Sequence, residues 1–165
     1  GKFALHLAAE YGAASDVVAK LLELNKEAAT IECDEGADKA LPIHLAVVHG
    51  KVVDNVSLLL DAHPESFGSP FMISEVYTVD NLLLAAAKSK AIPDVVKTLI
   101  DHCPQHAGTA NPADGYTPLH LAADQGRHLN PKVVQVLVEA CPGAAQTRTR
   151  FDDLLPLHIA AKKNT

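Results

Sequence analysis

The chain of 165 residues has no tryptophan, one methionine and only 4% aromatic residues. With 48% of residues hydrophobic, its apolar content rests on Ala, Leu and Val, which suit close helix packing better than an aromatic-lined ligand pocket. Positive charge is also scarce: 14 Lys/Arg stand against 20 Asp/Glu, for a formal net charge of -6. Phosphate binding draws on a basic excess, so a general nucleic-acid surface is excluded. Three cysteines (Cys33, Cys103 and Cys141) are too few and too odd in number for a disulfide framework. Cys103 and Cys141 hold equivalent places in successive units, and neighbouring helical units lie about 10 Å apart, too far for a bridge. No apolar run reaches the ~20 residues of a membrane span, and the first residues have no signal-peptide profile. A reducing, intracellular setting is expected, the cytoplasm first.

What is present is an internal repeat. FALHLAAEYG, LPIHLAVVHG, DNLLLAAAKS, TPLHLAADQG and LPLHIAAKKN align in one column, with His6, His44, Leu83, His120 and His158 in register at spacings of 38, 39, 37 and 38. A second column holds DVVAKLLEL, DNVSLLLDA, DVVKTLIDH and KVVQVLVEA, keyed on Val18, Val56, Val96 and Val134. A third closes the units with NKEAA, HPESF, CPQHA and CPGAA. Columns that keep phase over four units mark stacked repeats. The units run over about residues 1–39, 40–77, 78–115 and 116–153, with a partial one at 154–165, in a single array.

Each unit reads as two helices. LHLAA packs Leu and Ala closely against a neighbour, while Val17, Val18, Leu21, Leu22 and Leu24 form one apolar stripe at helical spacing. Asn130-Pro131 marks a helix start, with Ser15-Asp16 and Pro93-Asp94 as weaker forms. Gly12, Gly50 and Gly126 end the first helix, with Ser89 at the matching place. One such pair cannot bury its stripe alone, so the pairs must stack. The expectation is an all-α, right-handed solenoid of antiparallel helix pairs with hairpin-like loops on one side.

TPLHLAADQG preceded by ADGY, supported by the other four segments, resembles the ankyrin repeat family over essentially the whole chain. The family unit is about 33 residues, so a spacing near 38 marks a long-repeat subtype. Part of the excess lies between the helices, and part in the P-x-A-A-like element after the second helix. The resemblance implies that His6, His44, His120 and His158 are structural, bonding neighbouring backbone. The third unit departs most, with Asn81 and Leu83 in place of the motif Pro and His, and a distorted unit is expected there. Phe71 and Met72 of SPFMISEVY are expected beneath it. Neither end carries a polar cap, so the chain is expected to be a piece of a longer protein.

Chemistry is sparse. His102, Cys103 and His106 form the one tight His/Cys group, but a zinc site needs about four converging ligands and no second pair lies nearby. No phosphate-binding glycine loop occurs, and no nucleophile has a base and an orienting partner. No enzyme, cofactor or metal is expected.

The resemblance implies a protein-interaction module or scaffold, binding along the concave face through loop tips and first-helix ends. The alternative is a targeting or regulatory region of a larger enzyme or channel. Matching the family's variable surface on the first helices are Glu10 and Tyr11, Val48 and His49, Ala87 and Lys88, Asp124 and Gln125, and Lys162 and Lys163. On the loops the matching positions are Ala37 and Asp38, Val76 and Tyr77, Ala113, Asp114 and Tyr116, then Phe151 and Asp152. Tyr11, Tyr77, Tyr116 and Phe151 are the hot-spot candidates, because interface cores are rich in aromatics. Tyr77 and Phe151 have a second reading, as braces for the long loops. The partner is another protein, with no nucleic acid and no membrane insertion by this segment.

Overall fold

The computed structural model describes residues 2–35, 38–49, 52–74 and 77–163, with the backbone alone for Asp34, Glu35, Asp38 and Ser74. Ala37, Gly50 and Val76 lie outside the described residues.

Helices come in pairs: α1 (Ala4–Tyr11) with α2 (Ser15–Leu24), α3 (Pro42–Val48) with α4 (Val53–Ala62), α5 (Leu82–Lys88) with α6 (Pro93–His102) and α7 (Pro118–Ala123) with α8 (Pro131–Ala140). Helix α9 (Pro156–Lys163) opens a fifth unit. First helices stack on first helices in one row and second helices on second helices in another. The first two inter-unit loops form antiparallel hairpins, β1 (Cys33–Glu35) with β2 (Asp38–Ala40) and β3 (Phe71–Ser74) with β4 (Tyr77–Val79). This is the helical solenoid with short hairpins that the repeat predicts. No helix among the described residues is long and apolar enough to cross a membrane.

The second helices α2, α4, α6 and α8 are ten residues each. Each ends at a non-helical residue (Asn25, His63, Cys103 or Cys141) that redirects the chain into a 3-10 turn. These turns are the P-x-A-A-like elements that lengthen the repeat. Each buries one small or aromatic anchor in or beside the core: Ala29, Phe67, Ala107 and Ala144. Val18, Val56 and Val96 are completely buried, and Val134 is half-buried against the same core. The positions one residue earlier face the preceding pair. Asn55, Val95 and Val133 are covered there, and Asn55 Nδ2 donates to the Ala13 carbonyl at 2.8 Å. Val17, with no preceding pair among the described residues, is 46% exposed.

The third unit corrects the sequence alignment by one residue. Asn81 stands where Thr117 stands, as the N-cap: its side chain accepts from Leu84 N at 3.0 Å, as Thr117 Oγ1 accepts from His120 N at 3.4 Å. Leu84, not Leu83, therefore fills the histidine column, and the spacings become 38, 40, 36 and 38. The left-handed residue that ends the first helix is Lys90 (φ 63°), not Ser89, matching Gly12 (φ 66°) and Gly126 (φ 55°). Helix α5 is itself regular, with Leu82, Leu83, Leu84 and Ala85 fully buried. The expected distortion sits in the hairpin before it, where the β3–β4 register shifts between Met72 and Ser74. Ser15 also differs from expectation: Ala14 is the N-cap of α2 and makes no side-chain cap, whereas Asn130 does cap α8 by accepting from Lys132 N at 3.0 Å.

Candidate partner-binding surface

The loops are positioned by the motif histidines. Thr117 N donates to His120 Nδ1 at 3.2 Å, so Nε2 carries the proton and donates to the Leu154 carbonyl of the next loop at 3.1 Å. His6 Nε2 reaches the Ala40 carbonyl at 3.2 Å, although its buried Nδ1 has no hydrogen-bond partner among the described residues. His44 breaks the series. Its Nδ1 accepts from Leu41 N at 3.0 Å, but Nε2 has no hydrogen-bond partner among the described residues and the ring stacks on Phe71 at 3.9 Å. Burial holds the His44 imidazole far below its ordinary value, at about 3, and lowers His6 and His120 as well. These histidines are neutral joints of the scaffold, as the resemblance implied. Phe71 is buried at this joint and Met72 half-buried.

With Leu84 in the histidine column, the third and fourth units are tied differently. Tyr77 Oη donates to Asp114 Oδ2 at 2.9 Å. Buried Asn111 donates through Nδ2 to the Thr78 carbonyl at 3.1 Å and accepts from Ala113 N at 3.1 Å. Asp114 Oδ1 accepts from Tyr116 N at 2.9 Å, and Arg150 N donates to the Asp114 carbonyl at 3.0 Å. Gly115 (φ 77°) permits that last contact, because a Cβ there would stand 2.7 Å from Arg150 N. Asp114 thus joins three successive loops.

On the first-helix row, Asp124 collects two cations, Lys88 Nζ at 3.3 Å and Lys163 Nζ at 3.0 Å. Lys88 also lies 4.9 Å from the centre of the Tyr77 ring.

Together these residues surround one open pocket of about 280 Å³. Its walls include Tyr77, Lys88, Asp114, Tyr116, Asp124 and Phe151, with Lys163 at the Asp124 edge. Eight of the residues picked from the sequence, Asp152 included, therefore converge, although they span positions 77 to 163. Tyr77 braces the loops as well as lining the pocket, and burial first, then Asp114, raises its hydroxyl pKa. Phe151 is 74% exposed, with the Arg150 guanidinium 5.8 Å from its ring centre. Asp152, named with Phe151 from the loop pattern, completes the wall, and buried Thr149 is a member that sequence reasoning missed. Thr149 gives no sequence signal, since its hydroxyl serves the loop by accepting from Leu154 N at 3.0 Å. Asn111 was also missed, its only trace being the turn composition of ANPADGY.

The remaining candidates lie elsewhere. Glu10 is ion-paired with Lys2 at 2.8 Å, and Tyr11 beside it is 79% exposed. Val48 and His49 border a cavity of about 80 Å³ with His44 and Phe71. Gln125 is engaged inside the scaffold: its amide donates to the Ala87, Lys88 and Leu121 carbonyls at 3.2, 2.9 and 3.3 Å. Ala87 is buried, a consequence of the one-residue shift that makes Lys88 and Ser89 the equivalents of Asp124 and Gln125. Asp38 pairs with Glu35 through β2, and Lys162 is exposed in the last turn of α9. His102 Nδ1 contacts the Thr98 carbonyl at 2.8 Å and His106 packs on Phe67 at 4.8 Å. Among the described residues no three His, Cys, Asp or Glu side chains gather in a metal-binding group.

A comparison with protein-family models matches residues 82–165 to ankyrin repeats, in three copies. A comparison with curated proteins finds no match.

Proposed function

The chain belongs to the ankyrin repeat family, whose repeats are generally non-catalytic protein-interaction modules, and from that premise we propose that it holds a partner protein across the surface of its third to fifth units. The observation that carries this reading is the convergence of Tyr77, Lys88, Asp114, Tyr116, Asp124 and Phe151 on one pocket. Their backbones are fixed by helix caps and loop-to-loop hydrogen bonds, so the side chains are presented on a pre-organised frame. An exposed Phe151 beside half-buried tyrosines and charged rims has the make-up of an interface hot spot. Tyr11, Val48 and His49 would extend the contact toward the first units, giving an interface of about 1,200–2,000 Å² in total. The setting proposed for this binding is intracellular.

The test is capture of partners from native extract with the whole chain as bait, followed by affinity measurements on the captured protein. Phe151→Ala and Tyr116→Ala are expected to weaken binding by roughly fivefold or more, the effect of losing a hot-spot contact of about 1 kcal/mol. Tyr11→Ala measures how far the contact extends. If both pocket variants bind as tightly as the parent chain, this surface is not the binding site.

A further inference from the structure

Three features of the pocket remain available to a partner. The Phe151 ring is 74% exposed, with the Arg150 guanidinium 5.8 Å from its centre. Asp152 is exposed and makes no ion pair among the described residues, and the Tyr116 hydroxyl makes no hydrogen bond among them. The two ammonium groups at the site, Lys88 and Lys163, both rest on Asp124. Among the described residues Asp114 and Asp152 make no ion pair, and Arg150 Nη1 is taken by the Pro112 carbonyl at 2.9 Å, although Asp114 already accepts from Tyr77 Oη and Tyr116 N.

The local field follows from this arrangement. Burial raises the Tyr116 hydroxyl pKa, and Asp124, Asp114 and Asp152 add to the rise against the opposing Lys163. Three carboxylates, Asp114, Asp124 and Asp152, line the pocket against one lining ammonium, Lys88, with Lys163 on Asp124 at its edge and Arg150 beside Phe151. The pocket is open and of about 280 Å³, which gives room for one long side chain. Lys88 against Tyr77 provides an internal example of a cation resting on an aromatic wall of this site.

Resting on the partner-binding reading above, we propose that this pocket recognises a single arginine side chain of the partner, laid between Phe151 and Tyr116 with its guanidinium on Asp152. Arginine fits better than lysine for physical reasons. A planar, weakly hydrated guanidinium stacks on aromatic rings and offers five donors in a fixed fork. That fork can serve the Asp152 carboxylate, the Tyr116 oxygen and the remaining acceptor capacity of Asp114 together. An ammonium is more strongly hydrated and has three donors for the same acceptors. An acidic side chain would meet Asp114 and Asp152 unshielded.

The experiment is selection of a random displayed peptide library on the whole chain, in parallel with a Phe151→Ala/Asp152→Asn variant. Both substituted residues are exposed, so the variant is expected to melt as the parent chain does. The parent chain should enrich peptides sharing one arginine, and the variant should not. In a synthetic copy of an enriched peptide, arginine to citrulline should weaken binding roughly tenfold, with a falling affinity as salt rises. A lysine replacement that binds as tightly as arginine overturns the guanidinium assignment. Enriched peptides that need Phe151 and Asp152 but share no arginine overturn this inference and leave the partner-binding surface standing. Peptides indifferent to the variant, or no enrichment, overturn both.

Discussion

The Tyr77 hydroxyl donates to Asp114 Oδ2 at 2.9 Å, joining two loops 37 positions apart. This pair replaces the inter-unit bond that a motif histidine makes from Thr117–His120 to Leu154, because Leu84 stands in the histidine column of the third unit. The same contact holds one wall of the proposed binding pocket in place.

Tyr77→Phe tests that joint. The ring stays packed while Asp114 loses a donor and Asn111 a neighbour at 3.4 Å. A loss of about 1–2 kcal/mol is expected in denaturant unfolding, the usual effect of stranding a partly buried acceptor. An unchanged midpoint would mean that solvent satisfies Asp114 equally well and that the joint adds nothing.

Lys90→Gly is expected to stabilise the chain by about 1 kcal/mol, because lysine is held in the left-handed region there at φ 63°. Gly126→Ala, at the equivalent position of the next unit, should destabilise it by at least about 1 kcal/mol. A methyl group there adds the same backbone strain and stands 3.1 Å from the Lys163 carbonyl oxygen. Thermal melts of the two variants should therefore move in opposite directions, and movement in one direction would refute the one-residue realignment.

His44 predicts a pH dependence with a definite sign. Its folded pKa, about 3, lies below the ordinary 6.5. Below about pH 6.5 the unfolded chain binds a proton that the folded chain refuses, so stability is complete above that pH and falls as acid is added. The slope is ~1.4 kcal/mol per pH unit for one such group, and His6 and His120 act in the same direction. Urea midpoints should drop between neutral and mildly acidic buffer, and His44→Gln should flatten the slope. Parallel slopes for parent and variant would show that the imidazole is not buried as described.

Leu21, Leu59, Leu99 and Leu137 occupy one column of the second helices, yet Leu21 is half-buried while the other three are at most 1% exposed. Leu99→Ala should cost about 2–5 kcal/mol, as for deletion of a fully buried leucine, and Leu21→Ala less than about half as much. Equal losses at both positions would indicate that α2 is as well covered as α6.

Apolar periodicity and turn residues act over a few positions, so the helix pairs and the P-x-A-A-like element after each second helix were legible in the chain itself. Val18, Val56 and Val96 were readable as core for that reason, and His120 as a joint through its resemblance. Tertiary structure alone decided the register of the third unit. A run of Leu82, Leu83 and Leu84 suits a buried helix in either alignment, and only the Asn81 cap and left-handed Lys90 distinguish them. It also decided which exposed-looking positions remain available. Gln125 is drawn inward by the free carbonyls at the end of α5, whereas Phe151, in a loop with the same polar appearance, stays open. The pocket joins residues from 77 to 152 through contacts between loops, and such contacts exist only once stacking has fixed how far apart the loops lie.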